Sequence, residues 1–156
     1  MGKRTGLQCK TYIRVSGAIG DAFDAADFTE IDLIDSTLNL SKNEVESSSR
    51  LNEGWATALS GLKNSEVTSA MPWQQSATPP IYFDTIQDAF FNDTAIELYI
   101  MDGGPLTDAG YSGLHGTFSV LNFSRNEGLE DMVTADLTFK ADGDQIKPEW
   151  SNTPIT

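Results

Sequence analysis

Residues 37–73 read TLNLSKNEVESSSRLNEGWATALSGLKNSEVTSAMPW and contain two strand patterns around a polar segment. TLNLS and EVTSAMPW alternate apolar and polar side chains, as a strand with one buried face does. The segment 41–64 between them is polar, whereas a hairpin loop normally has about two to five residues. A segment of this length needs a reason, such as a partner surface. We therefore predict a long inter-strand insert at 41–64, for which order on a neighbouring subunit is one explanation.

The remainder of the chain predicts a mainly β protein with one helix. Period-two alternation indicates further strands at 7–15, 96–101 and 133–141. Only 81–91, which follows Pro79 and Pro80, has a helical period, with Tyr82, Ile86 and Phe90 on the side expected to be buried. A chain of 156 residues makes one domain with one core. We predict a single-domain β-sandwich or barrel with one flanking α-helix and a loose tail at 148–156.

The charge balance limits the classes of partner. With 23 acidic and 10 basic residues the chain has a net charge of −13, which disfavours tight binding to nucleic acid or to an anionic membrane. Such a surface suits a protein past which DNA moves without adsorbing. The sequence has neither the apolar run of a signal peptide nor a membrane span, and Cys9 is the only cysteine. These features predict production in a reducing cytosol.

The stretch 21–35 interleaves six acids with aromatic and aliphatic residues. Two interpretations remain open: a solvated loop that aids solubility, and a contact or channel-lining segment. Calcium binding is disfavoured because the spacing lacks the glycine and terminal glutamate of a calcium loop.

Few residues point to catalysis. His115 is the only histidine, no nucleophile motif accompanies it, and one cysteine and one histidine far apart do not make a metal site. A chance pair of carboxylates in a cleft is the one hydrolytic arrangement left open. We predict a protein that is not an enzyme and that has no catalytic residues, metal site or cofactor.

The tryptophans admit core and interface interpretations. Trp55 is either a satellite core residue beneath a long loop or an anchor in a subunit contact. Trp73, at the end of an alternating strand, is predicted to be core, and Trp150, beyond Pro148, is predicted to contact another subunit. A carbohydrate-binding module in which Trp55, Trp73 and Tyr99 form an aromatic platform is the alternative from another functional class.

A series of short pieces in this chain also follows a familiar order. NEVESSS precedes Trp55, then Gly61-Leu62-Lys63 and Glu66-Val67-Thr68, and downstream come IYFDTIQDAFFN, TAIELYIMD, GTFSVLNFS and MVTADLTFKADGD. Over roughly residues 8–147 this order resembles the major tail tube proteins of long-tailed, siphovirus-like bacteriophages. The resemblance implies a β-sandwich or barrel with one helix, assembled into hexameric rings that stack into a hollow tube for DNA.

The resemblance also implies positions for the functional residues. The insert 41–64 would be an inter-ring loop, with Glu44, Glu46, Arg50, Trp55 and Lys63 as its contact residues. Strands at 37–40, 66–71, 96–101 and 117–123 would form the lumen wall, with Glu66, Thr68, Glu97 and Ser119 facing the lumen, where acids repel passing DNA. Trp150 and Arg14 would contact neighbouring subunits.

Partners and location follow from the same resemblance. The chain would bind copies of itself, a tape measure protein, and tail tip and terminator proteins, with no membrane partner. It would reside in the virion tail after assembly in the bacterial host cytoplasm. The inner-tube protein of a contractile injection system, which shares the fold, is the alternative within assembly proteins.

Overall fold

The computed structural model describes residues 3, 5–46, 50, 55, 58–74, 76–107, 110–142 and 145–152. Two 3-10 turns, Gly6–Gln8 and Ala25–Asp27, accompany the longer elements. In chain order these elements are β1 (Lys10–Arg14), β2 (Phe28–Glu30), β3 (Asp35–Glu46), β4 (Ala58–Pro72), α1 (Ile81–Phe91), β5 (Ala95–Met101), β6 (Ser112–Asn126), β7 (Thr134–Ala141) and β8 (Glu149–Asn152).

The strands form one antiparallel sheet that curves round on itself. Its order is β2-β1-β5-β6-β7-β4-β3, and β8 pairs with the first part of β6. The end strands β2 and β3 are consecutive in the chain, and residues 31–34 join them. The amide of Ile31 donates to the carbonyl of Thr11 on β1 at 2.9 Å, and the amide of Ile34 donates to Ala70 on β4 at 2.8 Å. The link 31–34 therefore connects the two ends of the sheet and completes a barrel-like sandwich.

One face of the curved sheet supplies the main core. On β7, Leu137 and Phe139 are at most 1% exposed, whereas Lys140 on the opposite face is exposed. Ile13 of β1 and Val67 of β4 belong to the same buried cluster although their strands are distant in the sheet order. The two halves of the sheet therefore face each other, and the predicted alternation at 133–141 is confirmed.

Helix α1 covers part of this core. It begins after Pro80, whose ring fixes a backbone angle compatible with a helix start, and it ends at Asn92, whose amide donates to the carbonyl of Asp88. Its buried side chains, which pack into the main core, are Tyr82, Phe83, Ile86 and Ala89. Phe83 meets Trp73 edge-on at 5.1 Å between ring centroids. The prediction of a single helix at 81–91 is confirmed, and Trp73 packs against the core as predicted.

The segment 41–64 differs from its prediction as a loop. β3 and β4 remain paired through Ser41↔Asn64 and Glu46↔Ala58, so much of the predicted insert is a two-stranded arm. Residues 47–49, 51–54 and 56–57 lie outside the described residues. Antiparallel pairing satisfies the backbone hydrogen bonds of a polar segment without burying its side chains. Such a segment has no buried face, so its sequence shows no alternation of apolar and polar residues from which the pairing could be predicted. A bulge lies between Lys42 and Glu44, opposite Gly61, where an added Cβ would lie 2.9 Å from the carbonyl oxygen of Asn43.

Both ends of the chain also depart from prediction. The loose tail predicted at 148–156 is wrong for Glu149–Asn152, which form β8 against β6, while 153–156 lie outside the described residues. The strand predicted at 7–15 begins only at Lys10. The preceding residues form a 3-10 turn in which the amide of Thr5 donates to Oε1 of Gln8 at 3.0 Å, and this local side-chain bond competes with strand pairing.

Replacing Phe139 with alanine should lower the free energy of unfolding by about 3–5 kcal/mol, because the side chain is fully buried and its loss leaves a cavity. Phe91→Ala is the matched control: its ring is 69% exposed, so the loss should stay below about 1 kcal/mol. Urea unfolding followed by circular dichroism measures both. Equal losses in the two variants would contradict this description of the core.

Candidate functional site

The face of β3, β4, β7 and residues 119–126 of β6 that points away from the core is polar; we call it the polar face. Register places Ser119 of β6 opposite Lys140 of β7, and Lys140 opposite Glu66 of β4. The next position of the sheet aligns Asn122, Thr138 and Thr68 in the same way. Glu66, Thr68 and Ser119, three of the residues predicted to face a lumen, thus lie on one continuous surface.

The polar face has an excess of acids. Asp35 of β3 and Asp136 of β7 lie opposite Ala70 of β4, on the same side of the sheet as Glu66. Lys140 of β7 is a basic residue on the same surface. Asn126 donates a hydrogen bond from its side-chain amide to Asp136. Small hydroxyl and amide side chains surround these charges, so the surface offers many hydrogen-bonding groups, and Leu121 of β6 is an exposed apolar side chain in the same part of the sheet.

Glu97, the fourth residue predicted to face the lumen, does not reach a surface. It is 2% exposed, and its carboxylate accepts a hydrogen bond from Nε of Arg14. Nε2 of His115 lies 2.7 Å from its other oxygen, and because a carboxylate can only accept, the imidazole donates. The prediction for Glu97 was wrong: its side chain lies on the outer face of the sheet, but at β5 another segment covers that face.

The covering segment is residues 16–30, which include the larger part of the acidic stretch 21–35. Phe23 stacks on Phe28 at 5.6 Å between ring centroids, and both rings meet Tyr99 of β5 edge-on. These residues form a second apolar cluster with Tyr12, Met101 and Leu106. The stretch is therefore a packed cover over the outer surface of β1 and β5, which neither open interpretation of the sequence describes.

Arg14 attaches this cover to the sheet. It is 6% exposed, and besides Glu97 its guanidinium donates to Oδ2 of Asp27 at 3.1 Å and to the carbonyl of Asp21 at 3.3 Å. Its charged end also lies 4.7 Å from the centroid of the Phe28 ring. The prediction that Arg14 contacts another subunit was wrong, because one guanidinium satisfies several acceptors inside the same chain.

Protonation in this cluster follows from its contacts. Burial raises the pKa of Glu97, but the hydrogen bonds and charges of His115 and Arg14 outweigh burial, so the pKa lies below its ordinary value. Burial, with a smaller effect from the charge of Glu97, raises the pKa of Tyr99 to about 12. Tyr99 therefore stays neutral near physiological pH, and its ring stacks on His115 at 4.0 Å.

The arm has exposed apolar side chains on an otherwise polar frame. Exposed fractions reach 77% at Trp55 and Leu62 and 59% at Leu59. Trp55 is thus not a satellite core residue. Of the other residues predicted to make inter-ring contacts, Glu44, Glu46 and Lys63 lie on the paired strands and Arg50 is exposed beyond them. The arm and the polar face are the candidate functional surfaces, and sequence reasoning located the first but not its paired structure.

The described residues form neither an aromatic platform nor a metal cluster. Trp55, Trp73 and Tyr99 do not make a carbohydrate platform, because Tyr99 is 3% exposed and Trp73 packs against the main core. Among the described residues no three histidine, cysteine or acidic side chains cluster to hold a metal ion, and no helix is long and apolar enough to cross a membrane. Trp150, on β8, is 57% exposed.

Comparisons with known proteins identify the fold. No family model and no curated protein matches the chain in sequence. A chain in the virion of a native gene transfer agent particle matches with a TM-score of 0.66 at 15% identity, covering 97% of this chain and 99% of that chain. A chain in the tail of the empty particle, refined with C6 symmetry, matches with a TM-score of 0.69 at 15% identity and the same coverage, 97% and 99%.

The SPP1 tail tube gives an independent match. Its chain superimposes with a TM-score of 0.69 at 12% identity, covering 97% of this chain and 80% of that chain. Identities this low establish the fold, and the chain has the fold of these tail proteins. The predicted β-sandwich or barrel with one helix is confirmed, and the resemblance seen in the sequence is confirmed at the level of the fold.

Replacing Glu97 with glutamine should destabilise the protein at pH 7 by about 3–5 kcal/mol, because a buried guanidinium loses its main counter-charge. The lowered pKa of Glu97 means that this stabilisation is present above its ordinary value of 4.5 and is lost as pH falls through the folded-state pKa.

The difference in free energy of unfolding between wild type and Glu97→Gln should therefore shrink below about pH 4.5. Urea titrations at a series of pH values measure it, with Glu149→Gln, at an exposed position, as the control. A difference that stays constant from pH 7 to pH 3 would exclude an ionised Glu97 as the partner of Arg14.

Proposed function

We propose that this chain is the structural subunit of a phage-type tail tube, which self-assembles into stacked hexameric rings around a conduit for DNA. The proposal rests on one observation: 97% of the chain superimposes on a chain of the SPP1 tail tube and on a chain of a gene transfer agent tail with C6 symmetry. A shared fold does not by itself transfer a function, so the surfaces of this chain must also suit a tube.

The edge of the sheet suits lateral assembly. β3 is the last strand in the sheet order, and its outer edge along residues 36–45 pairs with no strand that the structure describes. An unpaired edge this long presents backbone donors and acceptors to another chain. Six copies related by a closed rotation can satisfy such edges mutually, which an isolated subunit cannot.

The polar face suits a conduit wall. Duplex DNA has about one charge per 1.7 Å of axis, and the excess of acids on the polar face opposes its adsorption. Because the Debye length is about 8 Å at physiological salt, this repulsion acts close to the wall. The net charge of −13 per copy supports the same role. Glu66, Thr68 and Ser119 are the lumen residues in this proposal.

The arm suits contact between rings. Its two paired strands extend beyond the β4–β7 pairing, which covers only Glu66 to Pro72, and they present Leu59 and Leu62 to solvent. Trp55, between the two strands in the chain, is also exposed. Exposed apolar side chains on a projecting hairpin are typical of a binding element. Glu44, Glu46, Arg50 and Lys63 are the polar contact residues that we assign to it.

The proposal implies further partners and a location. A tube needs a tape measure protein inside it during assembly and tip and terminator proteins at its ends, and its subunit has no catalytic role or cofactor. The protein would be part of the virion tail and would assemble in the cytoplasm of the bacterial host.

Removing residues 43–59 should leave a folded protein that does not form long tubes. The deletion joins Lys42 to its Cα partner Lys63 through Ser60, Gly61 and Leu62, a length that suits a hairpin loop. Negative-stain electron microscopy at increasing concentration measures tube formation, and circular dichroism verifies folding. Phe91→Ser, which removes an exposed apolar side chain from α1, is the control and should form tubes. Long tubes from the deletion variant would contradict the inter-ring role, and a wild type without rings or tubes would contradict the proposed function.

Replacing Glu66 with lysine should slow DNA ejection several-fold without preventing tube assembly, because it places a second base beside Lys140 on the proposed lumen wall. The measurement is the rate of DNA release from assembled particles, followed by fluorescence of a DNA-binding dye. Asp88→Lys makes the same charge change at an exposed position of α1 and should leave the rate unchanged. An unchanged rate in Glu66→Lys would place Glu66 away from the lumen.

A further inference from the structure

A groove of about 820 Å³ opens where the arm leaves the body of the protein. Its apolar lining comes from both sides, and its members are Leu40, Leu62, Leu114, Ala141 and Pro148. Leu40 and Leu62 are 55% and 77% exposed, although they border a side chain of the main core, Leu114. The groove therefore exposes apolar area that this chain does not cover with any described residue.

The rim of the groove is basic. Lys42, Lys63 and Lys147 line it, and none of the acidic residues that the structure describes does. All three are exposed, and none forms an ion pair with a residue that the structure describes. Three of the chain's ten bases thus surround one groove in a protein whose net charge is −13. Its ligand should be apolar and acidic.

The turn between β6 and β7 has this chemistry. Residues 127–133 read EGLEDMV, with Leu129 fully exposed and Met132 60% exposed. Glu127, Glu130 and Asp131 are exposed around them, and Oε1 of Glu127 also lies 2.6 Å from Nε of Arg125 in the same chain. The amide of Asp131 donates to the carbonyl of Gly128 at 3.3 Å, which holds Leu129 at the tip of the turn.

Groove and turn lie at opposite ends of the sheet. The turn connects Asn126 of β6 to Thr134 of β7, and Thr134 pairs with Pro72 of β4. The groove borders Ser65 and Ala141, at the other end of β4 and β7. The seven residue-to-residue steps of β4 from Ser65 to Pro72 span about 23 Å at the usual rise of a strand. One copy therefore cannot bring its own turn into its own groove.

We propose that the groove at the base of the arm binds the β6–β7 turn of a second copy of this chain. Leu129 and Met132 occupy the apolar floor, and Glu127, Glu130 and Asp131 pair with Lys42, Lys63 and Lys147. Because the two surfaces differ and lie at opposite ends, the contact is head-to-tail and continues as a filament. The inference rests on the proposed function, since it names a second surface, besides the arm, by which one ring binds the next.

Charge exchange tests the contact. The groove variant combines Lys42→Glu, Lys63→Glu and Lys147→Glu, and the turn variant combines Glu127→Lys, Glu130→Lys and Asp131→Lys. Each places like charges in every head-to-tail contact, so each alone should need at least ten times the wild-type concentration to form filaments. Their equimolar mixture should form filaments as the wild type does, because groove and turn of unlike variants attract. The mixture has the mean net charge of the wild type, so its recovery is not an effect of net charge.

Sedimentation and electron microscopy measure filament formation, and circular dichroism verifies that each variant is folded. If a triple variant does not fold, the single changes Lys63→Glu and Glu130→Lys replace it in the same scheme. A wild type that assembles together with variants that assemble equally well, or a mixture that does not recover, overturns the contact and leaves the proposed function intact. A wild type that forms no rings or filaments overturns the proposed function and this contact with it.

Discussion

The fifteen-residue strand β6, Ser112–Asn126, is the element on which the rest of the structure depends. Its first part pairs with β5 along one edge and with β8 along the other, and its second part pairs with β7. A bulge between Val120 and Asn122 increases the local twist where the pairing changes. The two halves of the sheet can therefore turn towards each other and enclose one core, which the link 31–34 then closes.

This curvature also gives the outer face of the sheet two different environments. Over β1 and β5 the acidic stretch covers the face, and Arg14 holds it there through Glu97 and Asp27. Over β3, β4 and β7 the same face remains open and polar. A chain with many acids thus uses some of them as hydrogen-bond partners of one buried guanidinium and leaves others, including Glu66, on the open polar face. A buried charge is tolerated here because each acceptor around it is hydrogen-bonded.

Periodicity was sufficient to predict the elements that pack. The helix at 81–91 and the alternation at 133–141 were predicted correctly because a buried face imposes its period on the sequence. Glu97 and Arg14 could not be placed in this way: their strands alternate as expected, but only the fold reveals that another segment covers their outer face. The paired structure of 41–46 and 58–64 was also missed, since a hairpin without a core has no apolar period to detect.

The sequence by itself determined the class of fold, the single helix, the strong negative charge and the presence of a long polar segment at 41–64, because these features appear directly in composition and period. Only the tertiary structure decided that Glu97 is a buried salt-bridge partner of Arg14 and that the acidic stretch covers part of the sheet. It also decided that a basic groove and an acidic turn lie at opposite ends of the sheet. The physical reason is that these features join residues distant in sequence, such as Arg14 and Glu97, through sheet register, and a one-dimensional pattern does not contain the register between strands.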